Sequence, residues 1–416
     1  MNRARSTAPP CFALLALSAS LACSQPNLST CDITQRDCQK DIYYKVLSLR
    51  GDGYDPFGGL PPVSVMTEDQ YRQQLEQEAA TAAQSGPNPW DKALLLLHFT
   101  TAASSPSDAG ADADGGTGSS TINDQATHVY AFYDPQTKTV TIVSHPNQTG
   151  SDTEQQAMIT LAHELVHALQ DRETDLKRQD FASTDDYLAS DSMIEGDARF
   201  YEYLFENDLL HLGYPQSAIV KMPDYELDYI YTHFDQAGSP LFAGQLLMYP
   251  LGAKYLATAY DSGGNAAVRH AYAKAPARTV GLLVGDNGRA PPVGTGDVCS
   301  APEARALAPT KTTNSADQFG ALLFYTFLRG WNVSHEVAFA TAQTWTGDFL
   351  RAQASSDFGT SAAAWRIEFS AAPPGSIVQA LTATGELTVT ASPRALLITV
   401  SDSPLPLVWT ATESCP

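Results

Sequence analysis

Two histidines four residues apart, with a glutamate directly after the first, are the residues of this chain best suited to chemistry. His163, Glu164 and His167 belong to the segment His-Glu-Leu-Val-His. Residues four apart on an α-helix project from nearly the same face, so both imidazoles can bind one metal ion. The pattern predicts a zinc hydrolase, in which Zn²⁺ activates a water molecule and Glu164 is the general base. The alternative is a chance match on an amphipathic helix that packs two histidines.

The segment around these residues must be helical for this geometry to exist. Ser151 and Glu154 have the spacing of a capping box, which predicts a helix start. Apolar residues follow at helical spacing, namely Met158, Leu161, Ala162, Leu165 and Leu169. We therefore expect a helix over residues 151–171, with one stripe packed and the histidine stripe facing a cleft.

A catalytic zinc site normally has three protein ligands, so a third must come from elsewhere in the chain. The residues after His167 lack the glycine and the third histidine of the metzincin pattern. Glu195, 28 positions further on a predicted helix over residues 184–208, is our predicted third ligand. Gly196 beside it indicates close approach of a facing helix. Asp191, one turn earlier, is expected to accept a hydrogen bond from a histidine N–H.

Other assignments of the third ligand remain open. The alternatives to Glu195 are Asp191, Glu173 and His211. Asp197 points away from Glu195 on a regular helix, so we expect it to support a neighbouring loop or the ligand-bearing helix.

The two motifs together resemble those of a protein family. Residues 163–171 read His-Glu-Leu-Val-His-Ala-Leu-Gln-Asp, and residues 194–198 read Ile-Glu-Gly-Asp-Ala. They resemble a group of largely uncharacterised bacterial secreted proteins with HExxHALQD and EGDA motifs, which are gluzincin-like zinc metallopeptidases. The similarity covers about residues 126–370 and includes later blocks at residues 249–252, 263–264, 271–272 with Pro276, and 345–348. The chain departs from the pattern at Asn265, where an aromatic residue is common, and in an insertion at residues 102–121.

The resemblance also suggests a catalytic tyrosine. Tyr249 lies in one of the similar blocks, at a predicted helix start beside Gly252. We predict that its hydroxyl donates a hydrogen bond to the oxyanion that forms during hydrolysis. His233 and His270 are the alternatives for this role.

The pattern of elements predicts an α+β fold. Two strands, residues 127–133 and 139–144, are expected to form a hairpin through the turn at residues 134–137. Helices are expected at residues 67–83, 90–98, 151–171, 184–208, 242–260, 264–273, 315–329 and 335–344. Residues 384–412 predict a short C-terminal β unit. A small antiparallel sheet, an active-site helix and a mainly helical body are typical of a zincin-like fold.

The N-terminus indicates export. Two arginines precede an apolar run that is too short to span a bilayer, so residues 1–22 are a predicted signal peptide. Cys23 follows in a context that resembles a bacterial lipobox. With Ser24 after it, this context predicts an outer-membrane lipoprotein of a Gram-negative bacterium, periplasmic or surface-facing, with residues 23–40 as a lipidated tether. The alternative is simple secretion without a lipid.

Charge and cysteine content limit the partners and the compartment. The chain has 46 acidic and 25 basic residues, a formal charge of −21. This acidity disfavours nucleic acid and anionic lipid, so membrane attachment is expected only through Cys23. A peptide or protein substrate and a monomeric state are expected. Apart from Cys11 and Cys23, four cysteines remain, an even number that in an oxidising compartment predicts two disulfides. Of the three possible connectivities, we favour Cys31–Cys38 with Cys299–Cys415.

The predicted domain organisation has three parts after the tether. Residues 41–125 form an N-terminal region, in which the Gly-, Ser-, Ala- and Asp-rich residues 102–121 are predicted to be a disordered insertion. Residues 126–371 form the metallopeptidase domain. Residues 372–416 form a C-terminal β segment.

Two other functions are compatible with the same motifs. One is a catalytically inactive, zinc-stabilised lipoprotein that binds another envelope component. The other is a zinc hydrolase of a non-peptide amide or ester. Glu164 is not needed to hold zinc, so its presence favours an enzyme over a binding protein.

Overall fold

The computed structural model describes most of the chain between residues 29 and 410. The described residues are 29–52, 58–84, 89–100, 122, 126–145, 150–176, 181–285, 303–305, 312–355, 361–402 and 408–410. The predicted signal peptide, Cys23, the insertion at residues 102–121 and the Cys299–Cys415 pair lie outside these residues.

The described part of the chain mixes helices with two main sheets, which confirms the α+β class. The helices are α1 Arg36–Leu49, α2 Glu68–Gln84, α3 Pro89–Leu96, α4 Ser151–Thr174, α5 Thr184–Leu209, α6 Gln216–Ile219, α7 Met222–Thr232, α8 Pro240–Tyr272, α9 Thr279–Val284, α10 Gly320–Gly330, α11 His335–Ala342 and α12 Gly375–Thr382. The strands are β1 Val63–Thr67, β2 Ala131–Asp134, β3 Thr139–Ser144, β4 Glu303–Arg305, β5 Thr312–Asp317, β6 Trp345–Ser355, β7 Ser361–Phe369, β8 Thr388–Ser392, β9 Ala395–Ser401 and β10 Val408–Thr410. None of the described helices is long and apolar enough to cross a membrane.

The two helices that carry the predicted ligands, α4 and α5, begin at the predicted residues and end slightly later. The predicted capping box at the start of α4 is wrong. Gly150 is the N-cap there, and the Ser151 hydroxyl bonds the Asp152 carboxylate, because Ser151 already lies within the first turn. Helix α5 does have a side-chain cap, since Ser183 Oγ accepts a hydrogen bond from the Asp186 N–H.

The helices predicted at residues 242–260 and 264–273 form one kinked helix, α8. Its backbone leaves the helical region at Gly263 and Gly264, where φ is −163° and 61°. The left-handed φ of Gly264 favours glycine, which explains the position of the kink.

A three-stranded sheet lies against α4, with strand order β1-β3-β2. Strands β2 and β3 form the predicted antiparallel hairpin, although β2 begins at Ala131 because residues 126–128 are helical. Strand β1 pairs in parallel with β3, so the sheet is mixed rather than antiparallel as predicted. The sequence did not reveal β1 because it is only five residues long and lacks a regular buried face.

A five-stranded antiparallel sheet, with order β5-β6-β7-β9-β8, was not predicted as a unit. Residues 312–317 pair with β6, so the helix predicted from residue 315 begins at Gly320 instead. Strand β7 pairs with β9, and the predicted domain boundary at residue 371 therefore falls within one sheet. Strand β7 begins with five consecutive buried residues and has no alternating pattern, which explains why the sequence did not indicate it.

Helix α1 includes part of the predicted tether, because residues 36–40 are helical. The predicted Cys31–Cys38 disulfide is present at the start of this helix. The Cys31 N–H lies 3.3 Å from Met158 Sδ on α4. At its other end α1 stops at Arg50, whose side chain is buried in the interior. Helix α1 therefore packs against both α4 and α5.

Candidate metal centre

Helices α4 and α5 lie side by side and bring the three predicted ligands together. Glu195 Oε2 is 3.2 Å from His163 Nε2 and 3.4 Å from His167 Nε2. The two imidazole rings are 4.7 Å apart between centroids and lie 76° from coplanar. Both histidines are buried, with 9 % and 7 % of their surface exposed. One carboxylate oxygen is therefore shared between the two Nε2 atoms.

These spacings suit a tetrahedral zinc site. Zinc bonds to imidazole nitrogen and carboxylate oxygen of about 2.0–2.2 Å place two ligand atoms about 3.3 Å apart when the geometry is tetrahedral. The two measured Nε2–Oε2 distances, 3.2 and 3.4 Å, match this separation. His163, His167 and Glu195 thus fit the donor set of a catalytic zinc site, which has three protein ligands and one open position.

A second carboxylate, Glu164, lies beside the histidines. Ligand atoms of Glu164, His163 and His167 all lie within 4.8 Å of one another. The backbone of Tyr133 in β2 slightly lowers the pKa of the Glu164 carboxylate. Burial raises the pKa of Glu164 to about 7, against the opposing effect of His167. A carboxylate with this pKa can accept and release a proton near neutral pH.

The pKa values of the three predicted ligands indicate that a positive charge is favoured at the point where their side chains meet. Burial opposes protonation of His167, but Glu195 outweighs it and raises the pKa of His167 to about 9. The pKa of His163 is likewise raised despite burial, through Glu195 and Glu202. The histidines in turn hold the pKa of Glu195 well below its usual range, although burial acts in the other direction. A metal cation that binds here must displace these protons.

Each histidine also makes a side-chain hydrogen bond through its Nδ1 atom. His163 Nδ1 is 2.9 Å from Glu202 Oε2, and His167 Nδ1 is 2.8 Å from Gln170 Oε1. We had predicted that Asp191 accepts a hydrogen bond from a histidine N–H. That prediction is wrong, because Glu202 and Gln170 are the partners of the two Nδ1 atoms.

The sequence contains a signal for both of these partners that the motifs alone did not show. Glu202 lies two helical turns after Glu195 and therefore on the same face of α5. Gln170 lies three residues after His167 and on the same side of α4. A search for polar residues at helical spacing from the predicted ligands therefore finds both.

Gly196, the residue after Glu195, allows another helix to approach closely, as predicted, but that helix is not α4. A Cβ atom on Gly196 would lie 2.3 Å from the backbone carbon of Gly252. The close approach is therefore with α8, the helix that carries Tyr249, rather than with α4. Asp197 supports the ligand-bearing helix α4 as predicted, because its Oδ2 accepts a hydrogen bond from Gln170 Nε2 at 2.9 Å.

The structure does not bring two of the alternative ligands to the site. Glu173 lies 3.7 Å from the guanidinium of Arg50. His211 is exposed and follows the end of α5 with a φ of 51°. Neither position contacts the point where the three predicted ligands meet.

A cavity of about 420 Å³ opens beside Glu164. The residues that line it are His128, Val129, Ala131, Thr160, His163, Glu164, Glu202, Phe242 and Tyr249. The ring of Tyr249 is 6.2 Å from the ring of His163, so the predicted catalytic tyrosine shares the cavity with the metal site.

The structure places the two alternatives to Tyr249 elsewhere. His233 stacks on the exposed Tyr229, and its Nδ1 contacts the Tyr229 carbonyl oxygen. His270 is exposed on the last turn of α8. His128, which the sequence analysis did not single out, lies in the cavity wall instead.

Comparison of the chain with family models, with curated proteins and with solved structures finds no match. An assignment of function therefore depends on the arrangement of these side chains. Two imidazole nitrogens and a carboxylate can hold a divalent cation. A second carboxylate of near-neutral pKa can transfer a proton, and a tyrosine hydroxyl can donate a hydrogen bond into the same cavity.

Proposed function

We propose that this protein is a zinc-dependent metallopeptidase with a zincin-like fold and a gluzincin-like ligand set of His163, His167 and Glu195. The observation that carries the proposal is that one Glu195 oxygen lies 3.2 and 3.4 Å from the two Nε2 atoms. The resemblance of both motifs to the HExxHALQD and EGDA metallopeptidase group supports the same function.

The residues around the cavity have separate tasks in this mechanism. A bound zinc ion supplies a Lewis acid, which polarises the scissile carbonyl and lowers the pKa of water. Glu164 takes the proton of the attacking water and passes it to the leaving amine. The Tyr249 hydroxyl donates to the oxyanion, an interaction of about 3 kcal/mol in comparable sites.

A peptide substrate is favoured by the strand next to the cavity. Strand β2 is at the end of the order β1-β3-β2, and in the described part of the chain no strand pairs with its other side. Val129 and Ala131, just before and at the start of β2, line the cavity. An extended peptide can pair with an edge strand through backbone hydrogen bonds, which a small amide or ester cannot do.

The position of Glu164 also separates hydrolysis from other uses of the same ligands. Two histidines and one carboxylate hold Fe²⁺ in oxygenases, and they hold zinc in purely structural sites when a fourth ligand is present. Neither use needs a second buried carboxylate beside an open cavity. Glu164 and the cavity therefore favour a hydrolase over an inactive zinc-stabilised binding lipoprotein.

We further propose that the enzyme works outside the cytoplasm, as a lipoprotein anchored through Cys23. The Cys31–Cys38 disulfide supports this location, because disulfides form and persist in oxidising compartments. The predicted signal peptide over residues 1–22 points to the same compartment.

The experiment that tests the proposed function measures zinc content and cleavage of a peptide library for the wild type, Glu164→Gln and Glu195→Ala. Glu164→Gln should keep one zinc per chain and lower kcat by about 10²–10⁴-fold, because only the proton acceptor is lost. Glu195→Ala should lose both zinc affinity and turnover, because a ligand is lost. Glu154→Gln, on the exposed first turn of α4, is the matched control and should change neither.

Two results would contradict the assignment. Wild-type zinc affinity and turnover in Glu195→Ala would show that Glu195 is not the third ligand and would leave Asp191 as the alternative to test. Full zinc occupancy without cleavage of any peptide by the wild type would favour the binding lipoprotein.

A further inference from the structure

The side-chain amide of Gln170 is buried behind the metal centre and makes three hydrogen bonds. Its Oε1 is 2.8 Å from His167 Nδ1. Its Nε2 is 2.8 Å from the Ile194 carbonyl oxygen and 2.9 Å from Asp197 Oδ2. Only 1 % of the residue is exposed, so solvent does not compete for these contacts.

The partners of the amide determine which way it faces. A carbonyl oxygen and a carboxylate can only accept hydrogen bonds, so the NH₂ group of Gln170 must face Ile194 and Asp197. The amide oxygen then faces His167 and can only accept. His167 Nδ1 must therefore carry a hydrogen, which leaves the lone pair of the neutral ring on Nε2. This Nε2 atom is the one that lies 3.4 Å from Glu195.

Asp197 is itself held in place from α1. Arg50 Nη1 lies 2.5 Å from the same Oδ2 atom, and both side chains are almost fully buried. Asp197 raises the pKa of Arg50 further above its usual value, although burial opposes this. The guanidinium compensates the buried negative charge, so Asp197 remains an acceptor for Gln170.

We propose that Gln170 is a positioning residue that selects the metal-binding tautomer of His167, and that Asp197 and the Ile194 carbonyl fix its direction. This inference rests on the proposed function, because it concerns the second histidine of the same metal site. The two histidines are thus held by different acceptors, since His163 has the carboxylate of Glu202. Hydrogen-bond partners of metal-bound histidines commonly contribute a factor of about 10–100 to metal affinity.

The test compares the zinc affinities of three variants with that of the wild type, by competition with a chromophoric chelator. Gln170→Leu keeps the bulk of the side chain but removes the acceptor, and should weaken zinc binding by about 10–100-fold. The double variant Gln170→Glu/Asp197→Asn restores an oxygen that faces His167 and places an amide, in place of a second carboxylate, against its other oxygen. It should bind zinc more tightly than Gln170→Leu. Gln39→Leu is the matched control, since Gln39 is a buried amide whose Nε2 donates to the backbone oxygens of Ile33 and Thr34 in the turn before α1. It should leave zinc affinity unchanged.

A measurement on the wild type tests the tautomer without any substitution. Nitrogen NMR of the zinc-loaded protein should show a hydrogen on Nδ1 of His167 and the metal on Nε2. The d–d absorption spectrum of the Co²⁺-loaded protein should change in Gln170→Leu and not in Gln39→Leu, because only the first variant alters the ligand.

Several results would overturn the inference. These are binding of His167 through Nδ1, equal zinc affinities of Gln170→Leu and the wild type, and zinc affinity of Gln170→Glu/Asp197→Asn no higher than that of Gln170→Leu. The absence of zinc binding by the wild type would overturn the proposed function as well. The two failures are therefore distinguishable.

Discussion

At the scale of single residues, the two carboxylates beside the histidines have opposite electrostatic environments. Glu195 lies against both imidazoles, and they lower its pKa in spite of burial. Glu164 is governed by burial, which raises its pKa to about 7. Groups of one chemical type whose pKa values are pushed apart in one site commonly have different catalytic tasks. The ionised Glu195 suits a metal ligand, and the readily protonated Glu164 suits a base.

The role of Tyr249 can be tested at the same scale. Tyr249→Phe keeps the ring that faces His163 and removes only the hydroxyl. We expect kcat to fall by about 10²–10³-fold, with KM and zinc affinity little changed, because the lost hydrogen bond forms mainly in the transition state. Steady-state kinetics on a cleaved peptide give this measurement. Tyr229→Phe, in which the substituted tyrosine is 61 % exposed on α7, is the control and should match the wild type. An unchanged kcat in Tyr249→Phe would show that Tyr249 does not donate to the oxyanion, and His128 in the cavity wall would be the next candidate donor.

The sequence indicates the three predicted ligands and, through helical spacing, the partners of the two histidines, but not the residues that support those partners from α1. The positions of His163, His167 and Glu195 follow from spacing on two strongly patterned helices. Arg50 becomes informative only once α1 and α5 are packed together, because its partner Asp197 is distant in the chain. Contacts of this kind depend on helix pairing, which the local pattern does not specify.

At the scale of the elements, the close contact between α5 and α8 connects the metal site to the opposite cavity wall. A Cβ atom on Gly252 would lie 1.6 Å from the Ser192 carbonyl oxygen, so the two helix backbones touch at this point. Tyr249 lies three residues before Gly252, and Glu195 lies three residues after Ser192. This contact therefore sets the distance between Tyr249 and the metal ligands.

A methyl group added at the contact between α5 and α8 is expected to destabilise the protein. Gly196→Ala places a methyl group 2.3 Å from the Gly252 backbone, which cannot move away as a flexible side chain can. We expect the free energy of unfolding to fall by about 3 kcal/mol or more, measured by urea denaturation. Gly375→Ala is the control, because nothing lies within 4 Å of the new methyl group at the start of α12, and it should be close to neutral. Equal stability of Gly196→Ala and the wild type would show that α5 and α8 are further apart.

The elements differ in how far the sequence predicts them, for a physical reason. Helices α4 and α5 have a polar functional stripe beside an apolar one, and this periodicity fixes their positions to within three residues. Strands β6 and β7 lie in the middle of a five-stranded sheet, and the buried start of β7 lacks alternation. The paired residues of β7 and β9 are 27 to 39 positions apart in the chain, and no local pattern indicates their pairing.

At the scale of the whole molecule, the C-terminal sheet is joined to the metal-binding helices through buried carboxylates. Asp348 in β6 accepts hydrogen bonds from the Trp365 indole N–H and from the backbone N–H groups of Phe319 and Gly320 at the start of α10. Asp185, in the first turn of α5, accepts a hydrogen bond from the backbone N–H of Thr279. Gly320 lies directly against Asp185, so α5 and the sheet meet at one point. We therefore expect the metal site and the C-terminal sheet to unfold together.

Removal of the metal should consequently lower the stability of the whole molecule. In the proposed function zinc joins α4 to α5, and a ligand that binds only the folded state stabilises it by about 4 kcal/mol at a free concentration of a thousand times Kd. Thermal unfolding of the full chain should shift to lower temperature in EDTA and recover when zinc is restored. Probes of the helices and of the tryptophans in the sheet should report the same transition.

The control for this effect is the double variant His163→Ala/His167→Ala, which removes two of the three ligands. Its unfolding temperature should not respond to zinc or to EDTA, because Glu195 alone binds a cation weakly. A zinc-dependent rise of the same size in the double variant would show that the metal binds elsewhere. A rise confined to the helical signal of the wild type would show that the sheet unfolds on its own, in contradiction to the buried contact between Asp185 and Gly320.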